Sequence, residues 1–121
     1  MKILVVEDEP TSLKLAQAVL AADGHQVFDA DAVKQALETV LREKPDMILL
    51  DLRLPDTDGL TFARQLKGGA ETKNIPIIAV TAYPDEFSKQ QALEAGCDAY
   101  FIKPLNTRTL QREIHNVVSR N

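Results

Sequence analysis

Short apolar runs alternate along this chain with segments whose apolar residues recur at helical spacing. Uninterrupted apolar runs are typical of strands in a parallel sheet, because both faces of such a sheet are covered. The run at 47–50 is fully apolar and is expected at the centre of the sheet, whereas the more polar run at 25–30 is expected at an edge. The pattern predicts strands at residues 2–6, 25–30, 47–50, 75–80 and 99–102.

The segments between these runs predict amphipathic helices, because their apolar residues recur at i, i+3, i+4 and i+7. Pro10 suits the first turn of the first helix, and Asp23-Gly24 is expected to end it. Gly68-Gly69 and Gly96 are expected to end the third and fourth helices. The first helix is predicted over about residues 10–22 and the fourth over about 86–95. The apolar positions that mark the second, third and last helices fall within residues 33–41, 60–66 and 110–118, and Pro45-Asp46 is expected to end the second.

Five alternating strands and helices predict an α/β fold, a doubly wound (βα)5 sheet with right-handed crossovers. A chain of 121 residues is too short for the closed eight-stranded barrel. We therefore expect residues 1–121 to form a single domain.

Composition argues against several function classes. The formal net charge of −4 and the absence of tryptophan give no indication of a nucleic-acid-binding surface. No apolar run approaches the about 20 residues that cross a bilayer, and the opening residues do not resemble a signal peptide, so we expect a cytoplasmic location. The single cysteine, Cys97, excludes an intrachain disulfide and is expected to be buried.

Polar residues follow four of the predicted strands: Glu7 and Asp8, Asp51, Thr81, and Lys103. Because the carboxyl ends of parallel strands meet at one edge of the sheet, where ligands bind, these side chains should converge. Clustered carboxylates need a cation or a proton to neutralise them, and carboxylate oxygens are ligands that Mg²⁺ prefers. The pattern therefore predicts a site for a divalent metal and a phosphoryl group.

Each of these residues, taken alone, has a simpler interpretation. Glu7 and Asp8 could be solvated loop acids, Lys103 could extend its amine to solvent, and Thr81 could be an ordinary strand residue or a helix cap. Asp51 is harder to explain in this way, because an unpaired carboxylate after a buried strand is costly. Further along, Pro55 and Gly59 bracket a sharp loop, and Asp58 is expected to cap the helix that follows.

The chain resembles the receiver domains of two-component response regulators, chemotaxis-regulator-like ones in particular. The resemblance rests on four motifs and covers the whole chain: the acid pair ending at Asp8, the segment DLRLPDTDG from Asp51, Thr81-Ala82, and YFIKP around Lys103. It implies a flavodoxin-like fold with strand order 2-1-3-4-5.

The resemblance also implies roles for the acids. Asp51 would accept a phosphoryl group from a sensor histidine kinase or a histidine phosphotransfer protein. Asp8, Asp51 and the backbone carbonyl of Arg53 would bind Mg²⁺ directly, and Glu7 would act through water. Glu7 replaces the commoner Asp of the family, and its longer side chain should still reach a metal-bound water.

The remaining roles concern switching. Thr81 and Lys103 would contact the phosphoryl oxygens, and Tyr100 would be the switch aromatic that rotates inward when Thr81 moves. A cis peptide is expected before Pro104, and Leu54 stands where the family often has Met. Partners would read the surface made by the fourth helix, the fifth strand and the last helix.

By this interpretation the chain is a signalling phosphoacceptor and not an enzyme, promoting only its own phosphorylation and slow self-dephosphorylation. Arg53 and Tyr83 lie two residues beyond Asp51 and Thr81, so they should flank the path of an attacking water. Both side chains are bulky, and we therefore predict slow loss of the phosphoryl group.

Three other functions compete with this interpretation. A Mg²⁺-dependent phosphatase with an Asp nucleophile would need an acid near Asp51, where the chain has Arg53, and a cap over the substrate. A flavin-binding carrier would need a hydroxyl- and glycine-rich phosphate loop where the chain has Glu-Asp-Glu-Pro. A receiver-like module that works without phosphorylation is the third. The sequence does not identify the cognate kinase or the output pathway. It also leaves open whether the protein is a monomer or a weak dimer, and whether the receiver stands alone or belongs to a longer protein.

Overall fold

The computed structural model describes residues 1–120, with side chains through Ser119. Five strands alternate with five helices along the described chain. The strands span Lys2–Val6 (β1), Gln26–Ala30 (β2), Met47–Asp51 (β3), Ile77–Thr81 (β4) and Ala99–Ile102 (β5). The helices span Pro10–Ala22 (α1), Val33–Glu43 (α2), Gly59–Lys67 (α3), Lys89–Glu94 (α4) and Thr107–Arg120 (α5).

All strand pairs are parallel, and the strand order is β2-β1-β3-β4-β5, which confirms the predicted flavodoxin-like topology. As expected, β3 is central and buried throughout, whereas β2 lies at an edge and has exposed positions. The register pairs Val6 with Leu50, and Thr81 with Ile102. The carboxyl ends of β1, β3, β4 and β5 therefore lie side by side.

The sheet separates two apolar cores. Along β1, Leu4 and Val6 face the core covered by α2, α3 and α4, whereas Ile3 and Val5 face the core covered by α1 and α5. Successive strand residues point to opposite faces. An uninterrupted apolar run therefore fills both cores, which explains why the strands lack the alternating pattern of a half-exposed sheet.

Cys97 belongs to the first of these cores and is 5% exposed, as predicted. Burial, followed by the nearby charge of Asp98, raises the pKa of its thiol to about 12. The predicted helix ends are confirmed at Gly24 and Gly96, whose φ angles of 84° and 101° lie in the left-handed region. No helix within residues 1–120 is long and apolar enough to cross a membrane.

Three elements start later than predicted, by one to three residues. The amide of His25 still bonds to Leu20 at the end of α1, so β2 begins one residue later. The amide of Ile75 closes a turn onto Thr72 and Pro76 has no amide proton, so β4 begins at Ile77 rather than at 75.

The fourth helix is the third case, because it is shorter than the predicted 86–95. Amides of Glu86 and Phe87 donate to the carbonyl of Tyr83 and form a separate turn. Ser88 then caps α4 in a capping box, in which its side chain accepts from the Gln91 amide and the Gln91 side chain accepts from the Ser88 amide. A local cap thus sets the start of α4.

Candidate functional site

The structure brings the predicted acids together at the carboxyl edge of the sheet. Glu7 and Asp8 directly follow β1, and Asp51 ends the neighbouring β3. One carboxylate oxygen from each of the three lies within 4.8 Å of the others. Asp8 is exposed, whereas Glu7 and Asp51 are only 5% and 6% exposed. A surface cavity of about 460 Å³ opens beside them and is lined by Asp8, Asp51 and Lys103.

Lys103 extends from the end of β5 into this acid cluster. Its Nζ lies 2.5 Å from Oε1 of Glu7 and 3.0 Å from Oδ2 of Asp51. Burial acts to lower the pKa of Lys103, but hydrogen bonds and charge interactions with both acids outweigh it and raise the pKa. The ammonium therefore stays charged and holds the two carboxylates together.

The single ammonium of Lys103 does not neutralise three carboxylates, and the pKa of Glu7 is raised in this cluster. Burial, followed by a hydrogen bond with Asp51, raises the pKa of Glu7 to about 7, although Lys103 acts in the opposite direction. Without a metal, Glu7 therefore keeps a proton up to near neutral pH. A divalent cation would replace that proton, and the hard oxygen donors fit Mg²⁺.

Backbone geometry around Asp51 fixes the loop that follows it. The Arg53 amide donates to Oδ1 of Asp51 over 3.0 Å, and the backbones of Arg53 and Asp58 form an isolated bridge. Asp58 caps α3 as predicted, accepting from the Thr61 amide at 2.8 Å. A Cβ atom at Gly59 would lie 2.7 Å from the Asp51 carbonyl oxygen, so α3 can begin this close to the site only with glycine.

Thr81 and Lys103 occupy neighbouring strand ends, with the Lys103 amide bonded to the Thr81 carbonyl over 2.8 Å. The Thr81 side chain is fully buried, and its hydroxyl accepts a hydrogen bond from the Tyr83 amide at 2.9 Å. The hydroxyl thus links the site to the β4–α4 loop. The expected cis peptide precedes Pro104.

Two side chains form part of the cavity rim. The Arg53 guanidinium lies 4.2 Å from the centre of the Tyr83 ring, a cation–π arrangement, and 3.9 Å from the carboxylate of Glu86. Arg53 and Tyr83 both line the cavity that Asp51 also lines. The sequence placed both beside the site but did not predict that they stack on each other.

Tyr100 lies on β5, partly buried against the core beneath α4. Its hydroxyl donates to the carbonyl of Phe87 over 2.5 Å, and burial raises the pKa of that hydroxyl. The ring is therefore held toward the β4–α4 segment.

Sequence reasoning missed Asp56. Its carboxylate accepts from the amides of Val33 and Lys34 at the start of α2, over 3.0 and 3.2 Å. The signal was available, because Ala32 precedes α2 and cannot cap it. No sequence pattern, however, identifies which distant acid supplies the missing cap.

Comparison with known proteins decides the family. The family model described as the response regulator receiver domain matches residues 3–115. The chain is a response regulator receiver domain. Receiver domains are phosphoacceptor modules of two-component systems, and they interact with histidine kinases or phosphotransfer proteins. The phosphatase and the flavin carrier therefore have no support as alternatives.

Several relatives illustrate the breadth of the family. This receiver is 36% identical over 118 residues to Protein PilH of Pseudomonas aeruginosa, covering 98% of both chains. It is 39% identical to the phosphate regulon transcriptional regulatory protein PhoB of that organism, covering 98% of this chain and 52% of PhoB. The chain spans about half the length of the transcriptional regulators it matches.

A solved structure extends the comparison to the metal. The receiver domain of a sensor histidine kinase from Pseudomonas aeruginosa superposes with a TM-score of 0.88 at 32% identity, covering 98% of this chain and 97% of that chain. That structure is described with a magnesium ion coordinated in its active-site cleft. The acid cluster of this receiver is compatible with such an ion.

Proposed function

We propose that this receiver accepts a phosphoryl group on Asp51 from the phosphohistidine of a sensor histidine kinase or a histidine phosphotransfer protein. The observation that carries the proposal is the contact of the Lys103 ammonium with Asp51 inside a cluster of three carboxylates. Asp8, Asp51 and the carbonyl of Arg53 would bind Mg²⁺, and Glu7 would act through a metal-bound water. The ion would neutralise charge on the phosphoryl oxygens.

In the transfer, a carboxylate oxygen of Asp51 forms a bond to phosphorus in line with the phosphorus–nitrogen bond of the donor. The phosphorus–nitrogen bond breaks, and its electron pair remains on the imidazole nitrogen of the leaving histidine. Lys103 is 13% exposed and can shift its ammonium from the carboxylates toward the new phosphoryl oxygens. The product is an acyl phosphate, which carries added charge and strong acceptor oxygens.

The switch would pass through Thr81. Its hydroxyl accepts from the Tyr83 amide, and its own proton remains available for donation to a phosphoryl oxygen. Movement of Thr81 toward that oxygen would pull on the loop whose Phe87 carbonyl holds Tyr100. The equilibrium between two conformations of the surface made by α4, β5 and α5 would then shift, and an output protein would bind one of the two.

We further infer a slow self-dephosphorylation. The stacked side chains of Arg53 and Tyr83 line the cavity beside Asp51 and restrict the approach of water to a phosphoryl group there. Catalysis by this receiver would be limited to its own phosphorylation and this slow reversal.

The wider setting is part of the same proposal. Residues 1–121 would form one receiver domain that works in the cytoplasm as a monomer or weak dimer. It would signal through protein contacts and make no contact with nucleic acid itself, in keeping with its net charge of −4.

The test is incubation with acetyl phosphate and Mg²⁺, followed by intact-mass measurement. The unmodified chain should gain a single phosphoryl group, Asp51→Asn should gain none, and omission of Mg²⁺ should suppress the gain. Asp29→Asn is the matched control, because Asp29 is an exposed acid on the edge strand β2. Modification of Asp51→Asn to the same extent, or none in any variant, would contradict the proposal and favour a module that works without phosphorylation.

A further inference from the structure

The start of α2 depends on a residue from another part of the chain. A helix begins with amides that have no acceptor within the helix, and Ala32 has no side-chain oxygen to offer them. Asp56 supplies the acceptors from 23 residues away: Oδ1 takes the Val33 amide at 3.0 Å and Oδ2 takes the Lys34 amide at 3.2 Å. A negative charge at this end also matches the helix dipole.

Asp56 is held by these bonds and not by burial, because it is exposed. The hydrogen bond from the Val33 amide is the main cause that keeps the pKa of Asp56 below its ordinary value. The carboxylate is therefore ionised at neutral pH, when both oxygens can accept. Such a pair of bonds fixes the position of the loop backbone at residue 56 relative to α2.

The loop that Asp56 fixes is the one that leaves Asp51. Its base is closed where the Gly59 amide bonds to the Leu52 carbonyl and where Arg53 and Asp58 form their bridge. Asp56 lies between these contacts, at the outer part of the loop. The loop is thus held by hydrogen bonds at its base and by the bonds of Asp56 to the first turn of α2.

We propose that Asp56 is a positioning residue for the acid cluster: by binding the first turn of α2, it orients the loop that presents the Arg53 carbonyl to the metal. This inference rests on the proposed function, in which that carbonyl is a ligand. Coupling of this kind is reciprocal, so a metal that fixes the Arg53 carbonyl must also strengthen the contact between Asp56 and α2. The first turn of α2 then responds to occupancy of the site.

A set of variants separates this role from simple capping. Asp56→Ala removes both the cap and the anchor. Asp56→Ala combined with Ala32→Ser gives α2 a cap of its own but leaves the loop unanchored. Gln35→Ala is the matched control, because Gln35 accepts from the Asp31 amide at 3.0 Å, a bond at the start of α2 that does not involve the loop.

Three quantities are measured for each variant: the dissociation constant for Mg²⁺ by calorimetry, the phosphorylation rate with acetyl phosphate by intact mass, and the melting temperature. Asp56→Ala should bind Mg²⁺ about tenfold more weakly, which is the lower end of the loss expected when a group that orients a metal ligand is removed. The double variant should regain the melting temperature but not the Mg²⁺ affinity. Gln35→Ala should lose stability and keep its Mg²⁺ affinity.

Amide exchange supplies a readout that capping alone would not change. Addition of Mg²⁺ should slow exchange of the Val33 and Lys34 amides in the unmodified chain and leave it unchanged in the double variant. Two results would overturn the role of Asp56 and leave the proposed function intact. One is full Mg²⁺ affinity in the double variant, and the other is a loss of Mg²⁺ affinity in Gln35→Ala equal to that in Asp56→Ala. Failure of the unmodified chain to bind Mg²⁺ would overturn the proposed function together with this inference.

Discussion

Replacement of Glu7 by glutamine should stabilise the metal-free receiver, although it removes a negative charge beside Lys103. Glutamine has nearly the same shape as a protonated glutamic acid but cannot ionise. The pKa of Glu7 is raised from 4.5 to about 7, chiefly by burial and then by Asp51. Such a rise means that ionisation of Glu7 lowers the free energy of unfolding by about 3 kcal/mol.

The sign follows from proton binding. Between pH 4.5 and about 7, folded Glu7 keeps a proton that the unfolded chain has released. The free energy of unfolding therefore falls as the pH rises through this window, and this contribution is constant above it. Glu7→Gln should match the unmodified chain at pH 4.5 and exceed it at pH 8 by up to about 3 kcal/mol, or roughly 10 °C in melting temperature.

The assay is urea and thermal unfolding followed by circular dichroism, at pH values from 4.5 to 8 with a chelator present. Glu38→Gln serves as the control, because Glu38 is an exposed acid of α2 and the change is chemically the same. Mg²⁺ added at pH 8 should stabilise the unmodified chain. If Glu7→Gln is no more stable than the unmodified chain at pH 8, or if the difference between them does not change with pH, the reasoning is refuted.

Three further predictions concern the rim, the core and a helix cap. Arg53→Asn and Tyr83→Ala should each speed loss of the phosphoryl group, followed by intact mass after removal of the donor; no acceleration in either would refute a slow reversal caused by this stack. Phe62→Ala should lower the free energy of unfolding in urea by about 3–5 kcal/mol, because the side chain is fully buried, and a loss below about 1 kcal/mol would contradict that burial. Asp58→Ala should cost about 1 kcal/mol by removing the acceptor of the Thr61 amide; equal stability would show that the bond contributes nothing.

The sequence predicted the fold well because the fold itself requires its two strongest signals, which are fully apolar strands and polar residues at the strand ends. A strand such as β3 must be apolar at every position to be covered on both faces, and the polar residue that ends it must then lie at the ligand-binding edge. The sequence pattern therefore predicts that Asp51 and Lys103 lie together, as the structure shows. The resemblance to receivers added roles that spacing alone could not supply.

What the sequence did not reveal depends on contacts between distant segments. Asp56 and α2 are joined by backbone amides, which leave no residue pattern at the receiving end beyond the missing cap at Ala32. The start of α4 was placed too early, because the turn onto the Tyr83 carbonyl has the same apolar and polar spacing as a first helical turn. Only the capping box at Ser88 distinguishes the two.

Cys97 has a practical consequence for experiments on this receiver. Its thiol is 5% exposed and its pKa is raised to about 12, so at pH 8 only roughly one molecule in ten thousand carries the reactive thiolate. The 121 residues contain no other cysteine. A cysteine introduced on the exposed surface of α4 or α5 would therefore be the one that maleimide dyes or spin labels modify. The native chain is in effect a cysteine-free background. Distances across the proposed output surface of α4, β5 and α5 can therefore be followed before and after phosphorylation without any prior substitution.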